Sequence, residues 1–342
     1  MAPKRALTMH DLAEATGLSQ ATVSYALGNK GNLSQETRDI VLRAAKRLGY
    51  RPNMFAAALS SCRTQVSPVG WPLAYLHWRT KRGTQYPLEL VGQGIREKAK
   101  ERGFQLHEHE FRSAEELRIL LRMLYARGIQ GLILYSLAEI ENFAGIEWSR
   151  FSVVTSGRWD IRSRFHNVRG DSFSNIETLW NNFKARGYQR IGVAICRHPV
   201  PILDDMEREG AVAALQAREP KRTKRIPPFL GDHGDDAGFL AWFAKYRPDG
   251  VIGFGDGHYH NLLSAGYSIP RDCGYASIQG TRLPGKVAAT TDVDLLIGRT
   301  LLRMMDSLIR HHEKGVPEQP ETLLIRPVFE EGASLPPNSQ RS

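Results

Sequence analysis

The sequence predicts a small helical headpiece joined to two doubly wound parallel α/β lobes. Three observations carry that expectation. Short helical segments, each with a capping residue and a glycine stop, fill the first sixty or so residues. From residue 73 onward, apolar strand-like runs alternate with helical stretches, the pattern of a parallel sheet wrapped by helices. Positive charge is concentrated at the front: residues 1–63 hold nine Lys/Arg against four Asp/Glu, half of the chain's formal +10. At 342 residues and 42% hydrophobic content the chain is too long for one ordinary domain and can bury a sizeable core.

In chain order, Thr8 can cap a first helix that Gly17 stops. Ser19 caps a second, residues 20–27, and the tight turn between the two has helix-turn-helix spacing. Ser34 caps a third, where Ile40, Val41, Ala44 and Leu48 share one face and Gly49 ends the run. The second helix turns Gln20, Ala21, Thr22, Ser24 and Tyr25 away from Val23 and Leu27. Short polar side chains at a helix start suit base edges and phosphates in a major groove, and a basic front end suits a polyanion. Double-stranded DNA is therefore the expected partner.

The residues Leu7–Ala13, Gly17–Leu27, Leu33–Arg38 and Leu48–Asn53 resemble the lac-repressor (LacI/GalR) family of bacterial transcriptional regulators. The resemblance covers about sixty residues almost without gaps. It implies a homodimer on a pseudo-palindromic operator, two lobes like those of periplasmic sugar-binding proteins, a small, sugar-like effector, and a bacterial cytoplasmic, nucleoid-associated setting. By resemblance Gln20 and Ala21 choose bases, while Tyr25 stands where many members have arginine. Arginine would grip guanine with two hydrogen bonds, and tyrosine cannot. Thr22, Ser24, Asn32 and Ser34 read as phosphate contacts or caps, which position without specifying. Gly28 replaces a common asparagine.

Residues 53–67 read as hinge helix and linker, after a headpiece of residues 1–52. Asn53 can cap a short helix containing Ala56 and Leu59, shorter than the roughly 12–15 residues an isolated helix needs in water. It is expected to fold when two copies pair in the minor groove. The resemblance makes Leu59 the apolar wedge that kinks the operator.

Residues 68–332 read as the effector and dimerisation region, with lobe 1 over 68–165 plus 291–330 and lobe 2 over 166–290. The Pro/Ser-rich residues 333–342 read as a disordered tail. Ligands of such sheets sit beyond the carboxyl ends of the strands. That rule selects Trp78 and Arg79, Arg158, Arg197, His233 and Asp256 as effector candidates. Glu207 aligns with an arginine that reaches the effector in relatives. A glutamate there points to a neutral or cationic ligand, or to an altered or unused pocket.

Other patterns imply less. Gly253–Gly257 lacks the third glycine of a dinucleotide loop, and His107/His109 have no third metal ligand in view. Three widely spaced cysteines form no CxxC pair, so no metal or cofactor is expected. Neither a signal peptide nor a membrane-spanning run is expected. An enzyme acting on sugars or sugar phosphates, fused to a DNA-binding headpiece, is the competing class; no P-loop, nucleophile elbow or metal cluster supports it.

Overall fold

The computed structural model describes residues 9–27, 33–48, 71–78, 88–135, 145–156, 164–198, 202–220, 225–232 and 234–337. Thr8, Asn32, the hinge residues Asn53, Ala56 and Leu59, and the effector candidates Arg79, Arg158 and His233 lie outside them. Contacts divide the chain into two units, Met1–Ser67 and Pro68–Ser342.

The first unit holds α1 (Met9–Thr16), α2 (Gln20–Leu27) and α3 (Gln35–Leu48). Leu12, Ala13, Val23, Ala26, Val41, Ala44 and Ala45 form its core, with Leu18, Leu33 and Leu48 packed on the margin. Gly17 turns the chain between α1 and α2 at φ +67°, a region that L side chains rarely enter. The Leu18 amide then closes the turn by donating to Ala13 O at 3.2 Å.

The second unit is built on two six-stranded sheets. The first contains β1 (Trp71–Trp78), β2 (Phe104–Phe111), β3 (Gly131–Tyr135), β4 (Ser152–Ser156), β5 (His166–Gly170) and β11 (Thr322–Ile325), in the order β11-β5-β4-β3-β1-β2. All its pairings are parallel. The second contains β6 (Ile191–Arg197), β7 (Phe229–Asp232), β8 (Gly250–Gly253), β9 (Gly274–Ser277), β10 (Ala288–Thr290) and β12 (Phe329–Glu330), in the order β12-β10-β9-β8-β6-β7. Only β12 runs antiparallel among these. Helices α4 (Leu88–Arg102), α5 (Ala114–Ala126) and α10 (Asp294–Arg310) wrap the first sheet. Helices α6 (Ser172–Ala185), α7 (Leu203–Arg218), α8 (Asp236–Tyr246) and α9 (Gly257–Ser264) wrap the second. The two-lobe doubly wound architecture is as the sequence predicts.

Helices α4 and α10 cross at bare backbone. A Cβ on Gly94 would lie 2.1 Å from Leu295 O, and one on Gly298 would lie 2.0 Å from Val91 O. Only glycine at both positions permits that approach.

Two expected boundaries need correction. β5 was placed at the start of lobe 2, but it pairs with β4 and β11 in the first sheet. The chain leaves lobe 1 after Gly170, because residues 166–170 continue the parallel ladder before Asp171 caps α6. Nor is the whole of 333–342 a loose tail. Ser334 Oγ accepts from Ala288 N (2.8 Å) and donates to Tyr275 O (2.7 Å), and Leu335 is buried in the second core. An apolar residue and a hydrogen-bonding hydroxyl outweigh the Pro/Ser composition. Residues 338–342 lie outside the described set.

The three crossings between lobes are stitched together. Asp171 N donates to Ile325 O at 2.9 Å, joining the first crossing to the third. Thr291 N donates to Val328 O (2.8 Å), and Val328 N to Thr291 Oγ1 (2.9 Å), joining the second to the third.

Candidate DNA-binding helix and inter-lobe cleft

Helix α2 presents a capped start and an exposed outer face. Ser19 Oγ accepts from Thr22 N at 3.1 Å and sits 2.8 Å from Thr22 Oγ1. Ser34 repeats the device on α3 with Thr37, at 3.2 and 2.8 Å. Capping thus accounts for both serines. Val23 and Ala26 are buried in the headpiece core, whereas Gln20 is exposed and Tyr25 is 51% exposed. One helix face therefore holds the fold while the other offers an amide and a phenol outward. The backbone of Ala21 and Ser24 continues α2; their side chains lie outside the described set.

In the second unit, the carboxyl ends of both sheets open on a cleft of about 1160 Å³. Strand order reverses between β1 and β3 in one sheet and between β6 and β8 in the other. A ligand crevice is expected at such points. Tyr135 from the end of β3, Arg197 and His198 from β6, and Phe254 to Asp256 from β8 line the cleft accordingly.

The charged groups of the wall are held in place by one another. Arg208, 2% exposed, lies 3.4 Å from Asp204 and 3.5 Å from Asp205, with its guanidinium 5.4 Å from the centre of the Phe254 ring. Asp205 in turn holds His198, by its amide (3.1 Å) and by Nδ1 (3.0 Å). Arg197 meets Glu209 at 3.1 Å. Asp256 accepts from Thr281 Oγ1 (2.6 Å) and from Arg282 N (2.8 Å), so a loop is pinned beside it. Asp171 caps α6 by accepting from Ser174 N (2.8 Å) and Oγ (2.6 Å). Asn175 donates to Ile278 O (2.6 Å) and accepts from Thr290 Oγ1 (2.8 Å).

Of the sequence candidates, Arg197 and Asp256 line the cleft. Glu207 points its carboxylate at Arg169, a wall residue, with both oxygens at 2.6 Å from the guanidinium. Trp78 does not reach the cleft. It packs edge-on to Phe111, with ring centres 5.4 Å apart, in the core beneath α5. The strand-end rule failed there because the last residue of β1 still alternates into the core.

Arg169, Asp171, Asn175 and Arg208 escaped the sequence reading. Asp171 follows β5 and was within reach of the same rule. Arg208 had its own signal: with Asp204, Ala211 and Leu215 it falls on the buried stripe of α7, where an arginine needs carboxylates beside it.

Cys196 also lines the cleft, its Sγ 4.0 Å from His258 Nε2. His258 Nδ1 accepts from Phe254 N (3.1 Å), and burial pushes the Cys196 thiol up to about 11. A thiol so raised is a poor nucleophile at neutral pH. Among the described residues, no group of three or more His, Cys, Asp or Glu could hold a metal, and no helix is long and apolar enough to cross a membrane.

Residues 8–53 match the family of bacterial regulatory proteins, lacI family. That match takes in helices α1 to α3. Sequence likeness extends beyond it. The chain is 30% identical over 216 residues to the HTH-type transcriptional regulator GalS of Salmonella typhimurium (strain LT2), covering 61% of this chain and 59% of GalS. It is 36% identical over 193 residues to the regulator AscG of Escherichia coli (strain K12), covering 54% of each. The matches thus span a little over half the length of these curated relatives. The lac repressor dimer bound to operator and the anti-inducer ONPF superposes with a TM-score of 0.57 at 16% identity, over 97% of this chain and 100% of that one. A CelR–cellobiose complex superposes at 0.56 and 18%, over 96% and 99%. The chain thus shares its fold with these structures.

Proposed function

We propose that this lacI-family chain is a sequence-specific DNA-binding transcriptional regulator, acting as a repressor. It binds a pseudo-palindromic operator as a homodimer, and a small hydroxyl-rich molecule in the inter-lobe cleft sets its affinity. The observation that carries this reading is the pairing of two features in one chain: a capped, outward-facing α2 within a lacI-family headpiece, and a polar cleft at the switch points of two lobes. GalS, AscG and CelR are named as regulators, and the CelR structure holds cellobiose, which supports a carbohydrate-like effector.

In this reading Gln20, Ala21 and Tyr25 meet base edges, and Thr22 and Ser24 with the capped helix starts at Ser19 and Ser34 meet phosphates. Thr8, Asn32 and Asn53 add backbone contacts, and paired hinge helices containing Ala56 insert Leu59 into the central step. Asp256, Arg197 and the neighbouring wall residues hold the effector. Closing or opening the cleft shifts the first lobe, from which the chain runs to the hinge. Coupling of this kind is worth about 1–3 kcal/mol, and it requires the ligand to prefer one lobe arrangement.

Selection of bound duplexes from a random pool with the full chain tests the reading. A symmetric site with a flexible central step is expected, and its half-site preference should change in Gln20→Ala and Tyr25→Ala. Enrichment that lacks symmetry, or none with or without a metabolite mixture, would overturn it.

A further inference from the structure

The cleft wall supplies its own anion. Arg169 stands at the end of β5 in the first lobe, and Glu207 stands on α7 in the second. The two meet as a bidentate pair, Nη1 to Oε2 and Nη2 to Oε1, both at 2.6 Å. Their side chains are 13% and 24% exposed, so the pair is shielded from most of the solvent. Nη1 also reaches Gly170 O at 3.4 Å. Both oxygens of the carboxylate thus lie on the face that a ligand's carboxylate or phosphate would use.

We propose that Glu207 is a built-in carboxylate ligand for Arg169, so that the cleft takes uncharged or cationic hydroxylated molecules and rejects carboxylates and phosphates of the same shape. The inference rests on reading the cleft as a ligand site, and three observations support it. First, Glu207 is tethered to the same chain, so an incoming anion competes with a partner at high effective concentration. Second, two further wall guanidiniums are also engaged, the exposed Arg197 by Glu209 and the buried Arg208 by Asp204 and Asp205. The fourth wall arginine, Arg282, is exposed, where solvent screens it. Third, the wall carries six carboxylates (Asp171, Asp204, Asp256, Asp292, Asp294 and Glu330) against those four arginines, before Glu207 is counted. A ligand anion would meet a negative field with its best cation already taken. Hydroxyls or an ammonium group would meet acceptors.

Removing the tethered carboxylate should open the position to a free one. The test is thermal unfolding of the full chain with acetate or D-glucuronate, against chloride at equal ionic strength, for wild type, Glu207→Ala and Glu207→Ala/Arg169→Gln. The expected result is a saturable rise of about 2–4 °C in Glu207→Ala, absent from the wild type and the double variant. Glu207→Gln keeps the side-chain volume and carries the same comparison if the alanine variant does not fold. An equal response in the wild type, or none in either single variant, would overturn the proposal. Neither DNA nor an effector is needed, so this outcome is separable from failure of the regulatory reading, which the duplex selection reports.

Discussion

The two lobes share one strand order but divide the chemistry of the cleft unequally. The second lobe supplies most of the charge: Arg197, His198, Asp204 and Arg208 from β6 and α7, and Asp256 after β8. The first supplies largely apolar and hydroxyl groups, Leu90, Val91, Tyr135, Ser156 and Ile297, with Arg169 and Asp294 as its charges. Their interiors differ in parallel. The second lobe buries ion pairs and a cluster of aromatic rings, in which His258 stacks on Phe239 with ring centres 4.1 Å apart. The first holds α4 against α10 by a glycine crossing. Two lobes of one strand order thus bring different side-chain chemistry to the cleft. The Arg169–Glu207 pair is where the two meet.

That division can be broken from either side. The largest effect should follow Arg208→Ala. It leaves Asp204 and Asp205, 6% and 5% exposed, without their guanidinium. Breaking a buried pair in this way costs about 3–5 kcal/mol, read by urea denaturation. A loss under 1 kcal/mol would show that the network is solvated rather than structural. Next comes Gly298→Ala in the first lobe, where the new methyl would strike the Val91 carbonyl. Overpacking of this kind costs about 1–3 kcal/mol and should leave the charged cleft wall unchanged. A neutral substitution would mean that α4 and α10 slide apart easily.

The smallest effect concerns pH and the first lobe alone. Burial lowers the pKa of His77 on β1, against the opposing pull of Glu110 and Glu108. Burial likewise lowers that of His109 on the neighbouring edge strand β2, helped by His107 and Arg127. The unfolded chain therefore takes up these protons more readily than the folded one. Their contribution is complete above the ordinary value of 6.5 and is lost as pH falls through the lowered folded values. The urea midpoint should fall on acidification, and less steeply in His77→Gln/His109→Gln. An unchanged slope in that variant would assign acid sensitivity to other groups.

Much of this was legible in the sequence, for reasons that differ by region. The headpiece could be read because its signals are local: Ser19 and Ser34 cap helices three residues away, and Gly17 turns one chain segment. The alternation of strands and helices likewise declared two parallel sheets. The cleft was legible only at strand ends, which gave Arg197 and Asp256. What the sequence hid are pairings between distant residues. Nothing local says that Glu207 will meet Arg169, or that Trp78 will turn into the core against Phe111. The placement of β5 was hidden too, because it depends on the return of β11 from far along the chain.

In the proposed regulator, occupancy of the cleft is felt at the DNA. Its most direct measurement is the affinity of the full chain for its selected duplex, by fluorescence anisotropy at fixed salt. It should be made with and without a panel of neutral sugars and amino sugars. At least one of them should shift the affinity by about 5–150-fold, and Asp256→Asn should lose that shift while keeping its ligand-free affinity. If the duplex binds tightly and no member of the panel changes its affinity, the chain is a DNA-binding protein whose cleft does not regulate it.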